Sequence, residues 1–243
     1  MSIAFVTVLL FYLVLPGILL RRGYLSSRFS IKYISNKFFD EILLAIIPSI
    51  IIHTLAINLI RSFSKFEVDL KSVGFLLIGI QDKECMANVL SSIHENFNLI
   101  ILYSVVLWLF SLGIGHLSRI FVRWRKLDRN YKIFRFSNIW YYLFSGEYLS
   151  FPDTPSEEQD IDFIFVDVLV NTSSGQYIYV GILVNYFLSE NGGLESIHII
   201  QPSRRKLEEE KYYDIPSDIL VIPYKEISNI NIRYFSLDEM VSE

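Results

Sequence analysis

A bilayer's hydrocarbon core of ~30 Å is crossed by about 20 apolar residues wound as an α-helix. Three stretches of this chain meet that requirement, roughly residues 3–20, 39–60 and 97–118. Backbone groups in lipid must be satisfied within the segment, so each stretch is expected to be a helix. A fourth run, GFLLIGI at 74–80, is too short to span and reads as an interfacial or re-entrant piece. The apolar fraction of 52% is high for a soluble chain, and the mean hydropathy of +0.38 is low for a chain made wholly of spans. The 243 residues therefore divide into a membrane part and a soluble part.

The first run has no basic n-region, and it is followed by Arg21 and Arg22 in place of a small-x-small cleavage site. It reads as a retained span. Orientation follows from the bases. Arg21, Arg22, Arg28, Lys32 and Lys37 precede the second span with no acid before Asp40. Arg119, Arg123, Arg125, Lys126, Arg129, Lys132 and Arg135 follow the third with only Asp128 among them. The 61–96 loop mixes Arg61, Lys65, Lys71 and Lys83 with Glu67, Asp69, Asp82, Glu84 and Glu95. The expected topology is N-terminus outside and C-terminus inside, multi-pass in a bacterial cytoplasmic (inner) membrane, with the C-terminal domain in the cytoplasm.

Within the spans, Pro16 and Pro48 need neighbours to re-satisfy the carbonyls they free. Ser104, Ser111 and Gly115 fall on one face of the third span and mark it for close helix packing, inside the bundle or against a second copy. His53 and His116 lie at different depths, so they form neither one metal site nor one relay. Thr54 and Asn58, four apart, could line a polar path or serve as packing contacts. Asp40 and Glu41 begin span two at the depth where Arg119 and Arg123 leave span three, and a salt-bridge cluster between them is expected.

From 119 to 151 bases alternate with aromatics in RIFVRWRKLDRNYKIFRFSNIWYYLFSGEYLSF. Immediately after a span this pattern suits an inner-leaflet surface, with Arg119, Arg123, Trp124, Arg125, Lys126 and Trp140 as its membrane-surface residues. Single-stranded nucleic acid is the competing ligand for such a pattern, and the net charge of -4 gives it no support. Ser137 or Asn138 can cap a short helix, IWYYLFS, that Gly146 stops, and this helix is expected to dock the collar to the bundle or the membrane. Residues 24–38 read as a second interfacial piece.

The domain boundaries expected are a transmembrane domain over 1–121, a juxtamembrane collar over 122–150, a linker over 151–160, a β-domain over 161–236 and a tail over 237–243. In the β-domain, stretches 162–170, 176–189, 194–201, 218–223 and 229–236 carry strand periodicity, separated by turn-forming residues. The charged stretch SRRKLEEEKYYDIPSD interrupts them and reads as a loop over 202–217. Five short strands, a one-turn connector after Pro223 and a bend at Gly181 predict a small all-β barrel. The layout of 160–236 resembles the SH3-like barrel class, with its PRC-barrel and Sm-like relatives. Through Pro16-Gly17, FRFSNIWYYLFSG and VLVNTSSGQYIYVGIL, the whole chain resembles an uncharacterised class of bacterial proteins that pair N-terminal spans with a small cytoplasmic barrel. That resemblance implies no activity.

Cys85 is the sole cysteine, which rules out an intramolecular disulfide and a cysteine-based zinc site. No Walker loop, GxGxxG, HExxH or GxSxG is present. His94 and His198 lack partners at catalytic spacing, and Asp160, Asp162 and Asp167, which straddle a linker and a strand, read as a solvated edge. No enzyme activity, catalytic residue, cofactor or metal is expected. The partners expected are membrane lipids and a protein docking at Arg204, Arg205 and Lys206, with a second copy as a further candidate and no nucleic acid. Two functions fit: a membrane-anchored adaptor or sensor, and an oligomeric membrane effector (a pore or bilayer disruptor in stress or phage defence) gated by the barrel.

Overall fold

The computed structural model describes residues 3–27, 38–63, 69–78, 83–154, 160–173, 175–189 and 192–236. The chain forms two compact units, one of Met1–Ser26 with Asn36–Val122, the other of Ser27–Ser35 with Arg123–Glu243.

The first unit holds α1 (Ile3–Tyr24), α2 (Phe38–Phe63), α3 (Leu70–Ile78), α4 (Lys83–Glu95) and α5 (Phe97–Trp124). α1, α2 and α5 are long and apolar enough to cross a bilayer, which makes this a membrane protein. Their apolar side chains are largely exposed, among them Ile47, Leu55, Leu109 and Leu117, as lipid-facing residues must be. The short apolar run expected at 74–80 lies partly in α3, where Leu76 is buried, and partly outside the described residues.

Three close approaches hold the unit together. A Cβ on Gly17 would overlap the Ala45 carbonyl of α2, and one on Gly115 would overlap the Leu20 carbonyl of α1. Gly23 faces the Leu112 carbonyl in the same way. Without a hydrophobic drive between helices in lipid, such backbone proximity is what brings dispersion contacts into range.

The second unit holds α6 (Leu127–Asn130), α7 (Ile139–Phe144) and an antiparallel sheet of β1 (Phe163–Thr172), β2 (Gly175–Leu188), β3 (Leu194–Lys206), β4 (Tyr213–Asp214), β5 (Leu220–Pro223) and β6 (Ile227–Phe235). The strand order is β4-β3-β2-β1-β6, with β5 also on β3. The sheet does not close into the barrel expected from the sequence. Closure would need β5 to pair with β6, but β5 has only four residues and joins β6 through a single 3-10 turn, Tyr224–Glu226. The one-turn connector is where the sequence reading put it, and the expected closure is not seen.

A second correction concerns the charged stretch. Arg204, Arg205 and Lys206 belong to β3, opposite Tyr179, Ile178 and Tyr177 of β2, and are not in a 202–217 loop. The strand continues past Pro202 because Gln201, in the left-handed region at φ 49°, forms a bulge opposite Gly181. A Cβ on Gly181 would sit 2.8 Å from the Ile200 carbonyl oxygen, so glycine admits the kinked strand at this point.

Val166, Val168, Val170, Ile197, Ile199 and Ile222 bury one face of the sheet, at every second residue of each strand. Phe144 of α7 completes that core, and Trp140 packs against it. The short helix therefore covers the sheet, a partner the sequence reading did not name. Asn138 caps it by accepting from the Tyr141 N–H at 3.0 Å, and Gly146 at φ 74° ends it. The Tyr234 hydroxyl donates to the Leu143 carbonyl at 2.8 Å, tying α7 to β6. Collar and sheet are thus one unit, and of the expected linker Pro155–Gln159 lies outside the described residues.

Candidate functional site

Three places carry polar chemistry, one in the helical unit and two in the sheet unit. The first surrounds the break in α1. Pro16 has no N–H, so the Tyr12 carbonyl loses its helical donor. Around that break α2 supplies partners to neighbouring backbone groups of α1. Gly17 N–H donates to Ser49 Oγ at 2.8 Å, and Ser49 Oγ donates to the Val14 carbonyl at 2.8 Å. His53 Nε2 lies 3.1 Å from the Leu13 carbonyl and its Nδ1 lies 2.9 Å from the Tyr103 hydroxyl. A carbonyl can only accept, so Nε2 carries the proton and Nδ1 accepts from Tyr103. The Tyr12 hydroxyl bonds to Ser104 Oγ, and its ring meets Trp108 edge-on with centroids 5.7 Å apart.

Here Ser104, Ser111 and Gly115 share the buried face of α5, with Leu107 between them. Ser104 reaches Tyr12 and Gly115 backs onto Leu20, so α1 occupies that face. Ser111 Oγ closes on its own helix at Leu107 O, 2.6 Å. Thr54 and Asn58 are exposed, and the Thr54 hydroxyl bonds back to the Ile50 carbonyl at 2.7 Å. His116 follows Gly115 on α5 and lies against the Arg119 guanidinium. Among the described residues no three His, Cys, Asp or Glu side chains gather as a metal site.

The second place is an ionic box at the start of the sheet unit. Arg123 donates to both Glu147 carboxylate oxygens at 2.7 Å and to Asp128 Oδ2 at 2.8 Å. Arg129 adds a contact to Glu147 at 3.3 Å. Tyr142, fully buried, donates to Asp128 Oδ2 at 2.9 Å and accepts from the Phe136 N–H at 3.2 Å. Asp128 is itself fully buried, a position an ionised carboxylate tolerates only when paired and hydrogen-bonded. Burial pushes the Glu147 carboxyl up, but the Arg123 and Arg129 guanidiniums outweigh it, and the net lies below the usual carboxylate range. Burial raises the Tyr142 phenol, which keeps its proton available for Asp128.

This box bears on two expectations. Arg123 serves an internal network and Trp140 stacks on Phe144 at 5.4 Å, so both side chains are engaged within the sheet unit. The cluster expected between Asp40, Glu41, Arg119 and Arg123 resolves differently. Glu41 pairs with Arg21 at 3.2 Å, while Arg119 reaches Ser26 at 2.8 Å and the His116 ring. Trp124 remains exposed with the Arg125 guanidinium 5.7 Å from its ring, and Lys126 adopts a left-handed turn at φ 51°. The sequence signal for the box was available. Asp128 and Glu147 are isolated acids in a basic, aromatic stretch, where each had to find a guanidinium.

The third place is the rim of the open sheet. Arg204 and Lys206 are exposed on the face that carries Tyr177 and Tyr179, with Arg204 5.6 Å from the Tyr177 ring. Arg205 points to the other face and donates to the Leu207 and Glu209 carbonyls at 3.1 and 2.7 Å, holding the turn that follows. Lys206 also pairs with Glu209 at 3.4 Å. β4 covers only two residues of β3 here, Ser203 and Arg204. At the opposite rim the outer edge of β6 is paired with no strand among the described residues. The chain matches no protein-family model, no curated protein and no solved structure.

Proposed function

We propose that the protein is a membrane-anchored adaptor or sensor whose sheet unit binds a protein partner at the cytoplasmic face of a bacterial inner membrane. The observation that carries this reading is the open sheet. Among the described residues its rims leave strand edges unpaired, and one rim presents Arg204 and Lys206 beside the half-buried Tyr177 and Tyr179. Unpaired edges accept an extended segment through main-chain hydrogen bonds, and flanking charges select which segment. An acidic or acidic-aromatic partner segment fits the Arg204 rim by charge. The order β6-β1-β2-β3-β5 and the 3-10 turn before β6 support an SH3-like strand layout, here unclosed. The density of Lys and Arg flanking the spans supports an outside N-terminus and a cytoplasmic sheet unit.

The test is a crosslinked pull-down from native membranes, comparing the full chain with the Arg204→Glu/Lys206→Glu double variant. Arg205 is left intact because it holds the turn. A partner retained by the natural chain and lost from the variant supports the adaptor reading. Equal capture by both removes the rim from it. The second reading, an oligomeric membrane effector, draws its support from the exposed polar pair Thr54 and Asn58 on α2. It requires dye release from liposomes that falls on Thr54→Leu/Asn58→Leu.

A further inference from the structure

The longest unpaired strand edge among the described residues is that of β6, nine residues against two in β4 and four in β5. Natural sheets guard such edges with charged side chains, proline or bulges. From Asn229 to Phe235 β6 carries one charge, Arg233, which pairs with Asp167 of β1 at 3.0 Å, and it has no proline and no bulge, since its register against β1 runs unbroken from Phe163↔Phe235 to Leu169↔Asn229. Its core row is also incomplete. Val166 and Val168 of β1 are fully buried, whereas their neighbours Ile232 and Ile230 on β6 stay half-exposed, as does Ile227. One more strand with apolar residues at every second position would finish that row.

The sequence of β6 itself supplies such a strand. In an antiparallel pair, opposed residues must lie on the same face, so self-pairing has to be centred on a residue and not between two. Centring on Asn231, the midpoint of Ile227–Phe235, keeps opposed residues on one face from Asn229 to Arg233, the stretch in unbroken register with β1. It places Ile230 against Ile232 of the second copy on the core face, and Ile232 against its Ile230. On the outer face Asn229 opposes Arg233, and Asn231 opposes itself. The strand has no acid and one base, and this register never sets that base against its twin. Centring on Arg233 would. We infer that β6 pairs antiparallel with β6 of a second copy of this chain, centred on Asn231, to give one continuous two-fold-symmetric sheet. This is an isologous contact, in which each residue's partner reciprocates. It leaves the Arg204 rim free and does not depend on the adaptor reading.

The register makes the proposal testable by position. In full-length protein in native membranes, with Cys85→Ser removing the natural thiol, opposed Cα atoms would lie about 4.5–5.5 Å apart, within disulfide reach. Asn231→Cys is expected to oxidise to a dimer. Asn229→Cys alone and Arg233→Cys alone, each roughly 13 Å from its own counterpart, are expected not to, whereas the two co-expressed are. Equal crosslinking at all three positions, no dimer with Asn231→Cys, or its disulfide to a different protein would each overturn the assignment. Charge gives an independent measurement that leaves the strand intact. Asn229→Glu would face Arg233 of the second copy and raise co-capture of two differently tagged chains, and Asn229→Arg would lower it, each by about fivefold. Identical co-capture by the two variants would show that β6 is not the contact.

Discussion

At Gly17 the absent Cβ lets the α1 backbone reach the Ala45 carbonyl, and the same step brings its N–H to Ser49 Oγ. Ser49 thus works twice, as acceptor for Gly17 and donor to Val14. Ser49→Ala is expected to lower helical-unit stability by roughly 1–2 kcal/mol, read as earlier thermal aggregation in detergent. Thr54→Ala, whose hydroxyl bonds only to its own helix, should leave that temperature unchanged. Gly17→Leu should prevent the α1–α2 approach outright, so little protein would be recovered from membranes. In the ionic box the consequence is a pH dependence. The Glu147 carboxyl is held below its unfolded value, so the stability it contributes is present above that value, about 4.3. It is lost as pH falls through the lower folded value. Acid unfolding of the sheet unit should therefore set in below pH ~4.3, and Glu147→Gln should lower stability at neutral pH while flattening that acid limb, measured by circular dichroism.

Among the elements, α7 carries the clearest expectation. Phe144→Ala removes a ring from the sheet core and should cost about 3–5 kcal/mol, while Asn138→Ala, losing the capping bond from Tyr141 and the contact to the Tyr186 hydroxyl, should cost about 1–2 kcal/mol. Trp140 fluorescence reports both in denaturant titrations when Trp108 and Trp124 are replaced by phenylalanine. This helix also shows what was legible in the sequence. Its cap and stop are local signals, and Asn138 and Gly146 announced them. Its destination was not local. Six residues are too few to show a periodic face, and lipid headgroups and a sheet core both accept tryptophan and phenylalanine. The strand extension in β3 was hidden for a related reason. Pro202 and three successive bases break the apolar alternation, and a bulge at Gln201 has no residue pattern that betrays it. Strand positions could be read from alternation and turns. Closure could not, because it turns on whether the four-residue β5 pairs with β6 across the single turn between them. For the box at Arg123, charge composition gave the ingredients, but lipid phosphates competed on paper for the same guanidinium.

For the molecule as a whole, the basic residues on either side of the spans set the expected topology. A cytoplasmically active reporter fused after Glu243 should work, and one inserted near Lys83 should stay silent. The opposite pattern would invert the orientation and put the sheet unit outside. The repaired break in α1 bears on how the chain is made. Its Val14 and Leu13 carbonyls are satisfied from α2, by donors that lie 35 and 40 residues further along the chain. When α1 leaves the ribosome those donors have not been synthesised. Released alone into lipid it would carry exposed peptide groups costing several kcal/mol each. Biogenesis then has one economical course: α1 waits at the insertion machinery and enters the bilayer together with α2, as a hairpin.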